Sequence, residues 1–145
     1  MHKSAAGHTR KNIIQQVKDK EESVHEYSSY IPIGDAVEKL KNWKKEGAEI
    51  LYLTSRRTQE QIKAIQSVLN KHRFPKGELL FRNESEEYKD VAERVVPDVL
   101  IEDDCESIGG EKEMTITHVK PEMKKKIKSI KLREFEGIDN LPDKF

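Results

Sequence analysis

Apolar positions recur along the chain at two alternating periods. Ile13, Ile14 and Val17 share one side of a short helix, with Val24 and Tyr27 a weak continuation. The pattern sharpens at "IPIGDAVEKLKNWKKEG". Ala36, Val37, Leu40 and Trp43 form a helical stripe there, and Gly47 sits where a helix end favours a left-handed residue. The run Ile50 to Leu53 then reads as a buried strand. Thr58 and Gln61 have capping-box spacing ahead of a helix whose inner face is Ile62, Ile65 and Leu69. "FPKG" breaks the chain before a short strand at 78–81. A helix from Tyr88 to Val96 follows, with Val91, Ala92 and Val95 inward and Pro97 helping to stop it. Val99 to Ile101 reads as a strand running into acids. "MTITHV" is predicted to be a further strand, "PEMKKKIKSI" a short helix begun by Pro121, and "IKLREF" a final strand.

Strands alternating with helices across short connections predict an α/β fold with a mainly parallel sheet. There is no internal repeat and no linker long enough to divide the chain. The expectation is one domain, with residues 1–30 an irregular or small cap-like segment and 31–145 the core.

Composition changes this picture little. Charged residues make up 37% of the chain, but 27 basic residues balance 27 acidic ones. Low hydropathy without net charge is not the signature of disorder, so the expectation is a folded chain with a heavily charged surface. Zero net charge gives no general reason to expect a nucleic-acid or membrane partner. The run Lys124, Lys125, Lys126 and Lys128 reads by default as a solvated helix face. Cys105 is the single cysteine, which excludes an internal disulfide and fits a reducing cytoplasm. No apolar run has the length of a membrane span. His2, His8, His25, His72 and His118 lack zinc spacing.

Ligands of open parallel sheets bind beyond the carboxyl ends of the strands. One strand here ends in Thr54-Ser55-Arg56 and another in Glu102-Asp103-Asp104, with Lys89 opening the helix before the second. A hydroxyl and an ammonium suit phosphate oxygens, and paired carboxylates suit Mg²⁺. Each also has a plainer reading: a turn for the acids, a solvated helix lysine for Lys89, a surface ion pair for Arg56. Cys105 beside acids is read as packing, since negative neighbours disfavour its thiolate.

In this order, "ILYLT" with Thr54, then Lys89, then "VLIEDD" with Asp103 and Asp104, the chain resembles the haloacid dehalogenase superfamily over residues 31–135. The resemblance implies a three-layer Rossmann-like α/β fold and a Mg²⁺-dependent phosphohydrolase acting on a small phosphorylated molecule. Thr54 and Lys89 would stabilise the transferring phosphoryl group, Asp103 and Asp104 would hold the metal, and Ser55 and Arg56 could touch substrate. One part of the pattern is missing. Nothing before Thr54 matches the family's Asp-x-Asp-Gly-Thr, whose first Asp is the nucleophile, so the usual central strand is expected to be absent. The expectation is either that the motif lies before Met1 or that the fold serves as a non-catalytic binding or regulatory module. As given, the chain is expected to be inactive.

Overall fold

A computed structural model describes residues 1–145, and gives six α-helices and four short strands. The order is α1 (Arg10–Lys18), α2 (Ala36–Lys45), β1 (Leu51–Leu53), α3 (Gln59–Lys71), β2 (Glu78–Leu80), α4 (Tyr88–Val95), β3 (Val99–Asp103), α5 (Thr115–His118), α6 (Pro121–Lys124) and β4 (Lys128–Leu132). Single 3₁₀ turns at Glu22–Val24 and Tyr27–Ser29 stand where the sequence suggested only a weak helical continuation, and a further one at Lys3–Ala5 precedes α1. No helix is long and apolar enough to cross a membrane.

Helix ends follow local chemistry. Thr9 Oγ1 accepts the Asn12 amide to open α1, and Thr58 Oγ1 accepts the Gln61 amide to open α3. α2 closes on Gly47 at φ +99°, with the Gly47 amide donating to Lys44 O and the Ala48 amide to Trp43 O. Trp43 anchors that helix. It is buried, its indole donates to Pro142 O, and Phe145 packs on it with ring centroids 5.0 Å apart.

The strands form two separate two-stranded parallel sheets. β1 pairs with β2 from Leu51 opposite Glu78 to Leu53 opposite Leu80. β3 pairs with β4 from Val99 opposite Lys128 to Asp103 opposite Leu132. Gly77 lets the start of β2 lie close to β1, because a Cβ there would run into the Ile50 carbonyl oxygen. Each strand therefore pairs along one edge only. This corrects the expectation of a buried first strand: Ile50 is buried, but Leu51, Tyr52 and Leu53 are half-buried, since a two-stranded sheet leaves flank and edge open.

Two further expectations fail. "MTITHV" is not a strand, because Thr115–His118 is the helical turn α5. The Glu102 carboxylate accepts the Thr115 and Ile116 amides at 2.7 and 2.9 Å, satisfying free N–H groups at the start of that turn. The helix expected through "PEMKKKIKSI" lasts only Pro121–Lys124. Pairing with β3 draws residues 128–132 into β4, so the final strand starts earlier than expected and stops before Glu134.

The main apolar cluster lies beside β3. Ala92, Met114, Ile116, Val119 and Ile127 are buried together, with Val96, Leu100, Cys105 and Met123 packed against them. α4 links this cluster to the segment that follows β1. Val91 and Ala92 are buried, Ala92 in that cluster, while Tyr88 at the start of the helix lies against Ser55 just beyond β1.

Candidate functional site

Both sheets end in polar residues at their carboxyl ends, but of opposite sign. Beyond β1 come Thr54, Ser55, Arg56 and Arg57, and Arg82 follows β2 closely. β3 ends in Asp103, followed by Asp104 and Cys105, while Glu134 follows β4.

The acidic end is tightly engaged by the protein itself. Asp103 Oδ1 accepts the Cys105 amide at 2.8 Å. Asp104 Oδ1 accepts the Glu134 amide at 3.0 Å and the Glu106 amide at 3.4 Å, and its Oδ2 is 4.0 Å from the Arg10 guanidinium. Arg10 also pairs with Glu106 and donates to Glu134 O, which ties α1 to the residues after β4. The sequence reading did not single out Arg10, Ser107 or Glu134. Glu134 accepts both the amide and the hydroxyl of Ser107 at 2.6 Å. Burial, with Asp103 and Asp104 nearby, pushes the Glu134 carboxyl above the usual range, and the Ser107 bonds oppose that shift. No sequence pattern marks Glu134, since it reaches the acids only through β3–β4 pairing.

Cys105 sits at φ +52° and its thiol is pushed up to about 12, first by burial and then by Asp103. A thiol so disfavoured as thiolate is no nucleophile, in line with its reading as packing. Behind it, the amides of Ile108, Gly109 and Gly110 all point at Cys105 O, so the two glycines wrap the loop tightly around this carbonyl.

These acids do not form a complete metal cage. No group of three or more His, Cys, Asp or Glu side chains is placed to hold a metal ion. Glu102 is committed to the start of α5. Asp103 and Asp104 remain as two adjacent carboxylates with some oxygens free of protein donors, a partial donor set for Mg²⁺.

At the other end, Thr54 continues the ladder, its amide donating to Leu80 O, and its Oγ1 accepts the Arg56 amide at 3.3 Å. Ser55 O accepts from Arg82 Nη2 at 3.0 Å. Lys89 lies in the first turn of α4, its ammonium 3.5 Å from Asp90 and 4.0 Å from Glu87. No hydrogen bond or ion pair joins Thr54, Lys89, Asp103 and Asp104 to one another. Tyr88, next to Lys89 in α4, lies close to the residues that follow β1. Its hydroxyl lies by Ser55, and burial raises its pKa against the opposing effect of the Ser55 bond and of the Arg82 and Arg56 cations.

Two clefts stand out. One of about 410 Å³ is lined by Tyr52, Leu69, Phe74 and Gly77, at the opposite, amino end of β2. The other, about 350 Å³, borders Ile101, Asp103, Leu132, Glu134 and Met1. The Met1 amine beside it is largely buried, donates to Ile31 O at 2.7 Å and is lowered by burial to about 6.

Comparison with protein-family models finds no match, and comparisons with curated proteins and with solved structures find none.

Proposed function

We propose that the chain is a haloacid dehalogenase-like phosphohydrolase scaffold that lacks its nucleophile, and so is catalytically silent as it stands. One observation carries this reading. β1 and β3 are apolar runs of the kind usually covered on both sides, yet each pairs along one edge only, and each closes on chemically pointed residues. A single doubly wound sheet would result if one more parallel strand joined them. In that arrangement an Asp at the end of the added strand would attack phosphorus. A phosphorus–oxygen bond to the carboxylate would form, the ester bond would break, and the alcohol would leave with a proton from the second Asp of the added motif; that Asp would then take a proton from the water that hydrolyses the acyl phosphate, releasing inorganic phosphate. Thr54 would donate its hydroxyl to a phosphoryl oxygen, and Lys89 would add positive charge once released from Asp90 and Glu87. Asp103 and Asp104 are the carboxylates this chain would present to Mg²⁺, which when bound would offset charge on the phosphoryl oxygens. The substrate class is a small phosphomonoester.

The test is a chain extended at its amino end by an apolar strand closing on Asp-x-Asp-Gly-Thr. It should release phosphate from p-nitrophenyl phosphate only with Mg²⁺, and lose that activity on Thr54→Ala and Asp103→Asn. No release from a panel of phosphomonoesters by a folded, extended chain would sink the catalytic reading.

A second reading, a non-catalytic binding or regulatory module, is favoured by the state of the acids. Backbone amides and Arg10 already engage Asp103 and Asp104, as expected of groups whose task is to hold a loop. It predicts a stable chain from Met1 onward whose melting temperature does not respond to Mg²⁺.

A further inference from the structure

Arginine partners are unevenly distributed in this protein. Arg10, Arg94 and Arg133 each meet a carboxylate. Arg57 is exposed and bonded to the Glu84 and Glu86 carbonyls, and Arg73 is exposed to water. Arg56 and Arg82 differ from all of these, being half-buried without any carboxylate partner. The Arg56 guanidinium lies 4.5 Å over the Tyr27 ring and makes no hydrogen bond or ion pair with the protein. Arg82 stacks 5.0 Å over Tyr88 and gives one bond, to Ser55 O, while its Nε–H is buried with no partner at all. An unpartnered buried N–H on a cation is costly and calls for an acceptor. Arg82 stacks on Tyr88 and donates to the carbonyl of Ser55, the residue just before Arg56, and both arginines act on the Tyr88 phenol, so the two side chains share one locality just after β1.

Contact with an aromatic face restricts each guanidinium, which lowers the entropy lost when it binds a planar or tetrahedral oxyanion. Lys89, by contrast, already has two carboxylates within 4.0 Å. We infer that Arg56 and Arg82, flanked by Tyr27 and Tyr88, form an oxyanion subsite that takes a second anionic group, phosphate or carboxylate, of the ligand. The inference deepens the proposed function by making the substrate doubly anionic. It rests on that reading only for its catalytic use, because binding at this subsite needs neither nucleophile nor metal.

The decisive experiment is calorimetric titration of the full chain, without metal, using inorganic phosphate, pyrophosphate and malonate at matched ionic strength. Pyrophosphate or malonate should bind more tightly than phosphate, and which of the two wins assigns the group as phosphate or carboxylate. Arg56→Gln and Arg82→Gln should each weaken binding about tenfold or more, the loss expected for a hydrogen bond to a charged group. Arg73→Gln, an exposed arginine elsewhere, should leave affinity unchanged. Arg56→Gln removes no hydrogen bond within the protein, so it keeps the test valid if Arg82→Gln unfolds. As a second readout, the Arg82 Nε–H resonance should shift on anion addition. Absence of binding at millimolar anion would overturn the inference, and so would equal losses in all three variants. Intact binding with no phosphate release by the strand-extended chain would remove the catalytic reading and leave the subsite standing.

Discussion

The carboxyl ends of the two sheets show opposite uses of charge. After β3 and β4, Asp103, Asp104 and Glu134 are folded into a network with backbone amides, Ser107 and Arg10. After β1 and β2, Arg56 and Arg82 rest on aromatic faces with donor capacity left over. The acidic end looks the more chemical in the sequence, yet most of its polar groups hold structure. The basic end looks ordinary, yet it retains the unused hydrogen-bonding capacity. Clustered acids at a strand end are tolerated here because N–H donors and one arginine surround them, and a cation is not the only remedy for their repulsion.

The contrast extends to packing. The β3 side carries the buried cluster, whereas Leu69 and its neighbours on α3 are half-buried. Met114→Ala should cost about 2–5 kcal/mol in urea unfolding, as a buried large-to-small change does, and Leu69→Ala distinctly less. Equal losses would erase the difference between the two sides. Next in size, Glu102→Ala removes two charge-assisted bonds to α5 and should cost about 2 kcal/mol or more. Hydrogen exchange at the Thr115 and Ile116 amides should rise with it, and unchanged protection there would show that Glu102 does not hold the turn.

The acidic network also predicts a pH signature. Burial raises the Glu134 carboxyl above its ordinary 4.5, so the folded chain holds this proton after the unfolded chain has released it. Stability from this group is therefore present below 4.5 and falls as pH rises from there through the folded pKa. Glu134→Gln should remove that decline, so its melting temperature should gain on the parent as pH moves from about 4.5 toward neutrality. Parallel melting curves would mean that the network carries no ionisation cost. The smallest stability effect is expected at the basic end. Arg56→Gln gives up only the stacking on Tyr27, about 0.5–1 kcal/mol, even though it should abolish most anion binding. A large loss of stability there would mean that the arginine is structural after all.

Much of this was legible in local pattern. The stripes of α2, α3 and α4, the Thr58 cap, the Gly47 stop and the positions of β1, β2 and β3 follow from side-chain periodicity and from groups within four residues of one another. The residues after β1 and β3 could be nominated as chemistry on the same basis. What failed depended on distant partners. "MTITHV" alternates like a strand, but Glu102, thirteen residues earlier, supplies acceptors that make a helical turn the better conformation for Thr115 and Ile116.

The sequence by itself determined helices α1 to α4, the first three strands, and the presence of acids and bases at strand ends, because propensity, capping and periodicity act over short stretches. Only the tertiary structure decided that the strands form two parallel pairs, that the last strand runs over Lys128–Leu132 rather than through "IKLREF", that Glu134 and Arg10 join the acids, and that Arg56 and Arg82 are left without carboxylates. Strand pairing and the saturation of a charge depend on which donors and acceptors meet across the fold. Those meetings are set by packing between segments far apart in the chain, which no local pattern encodes.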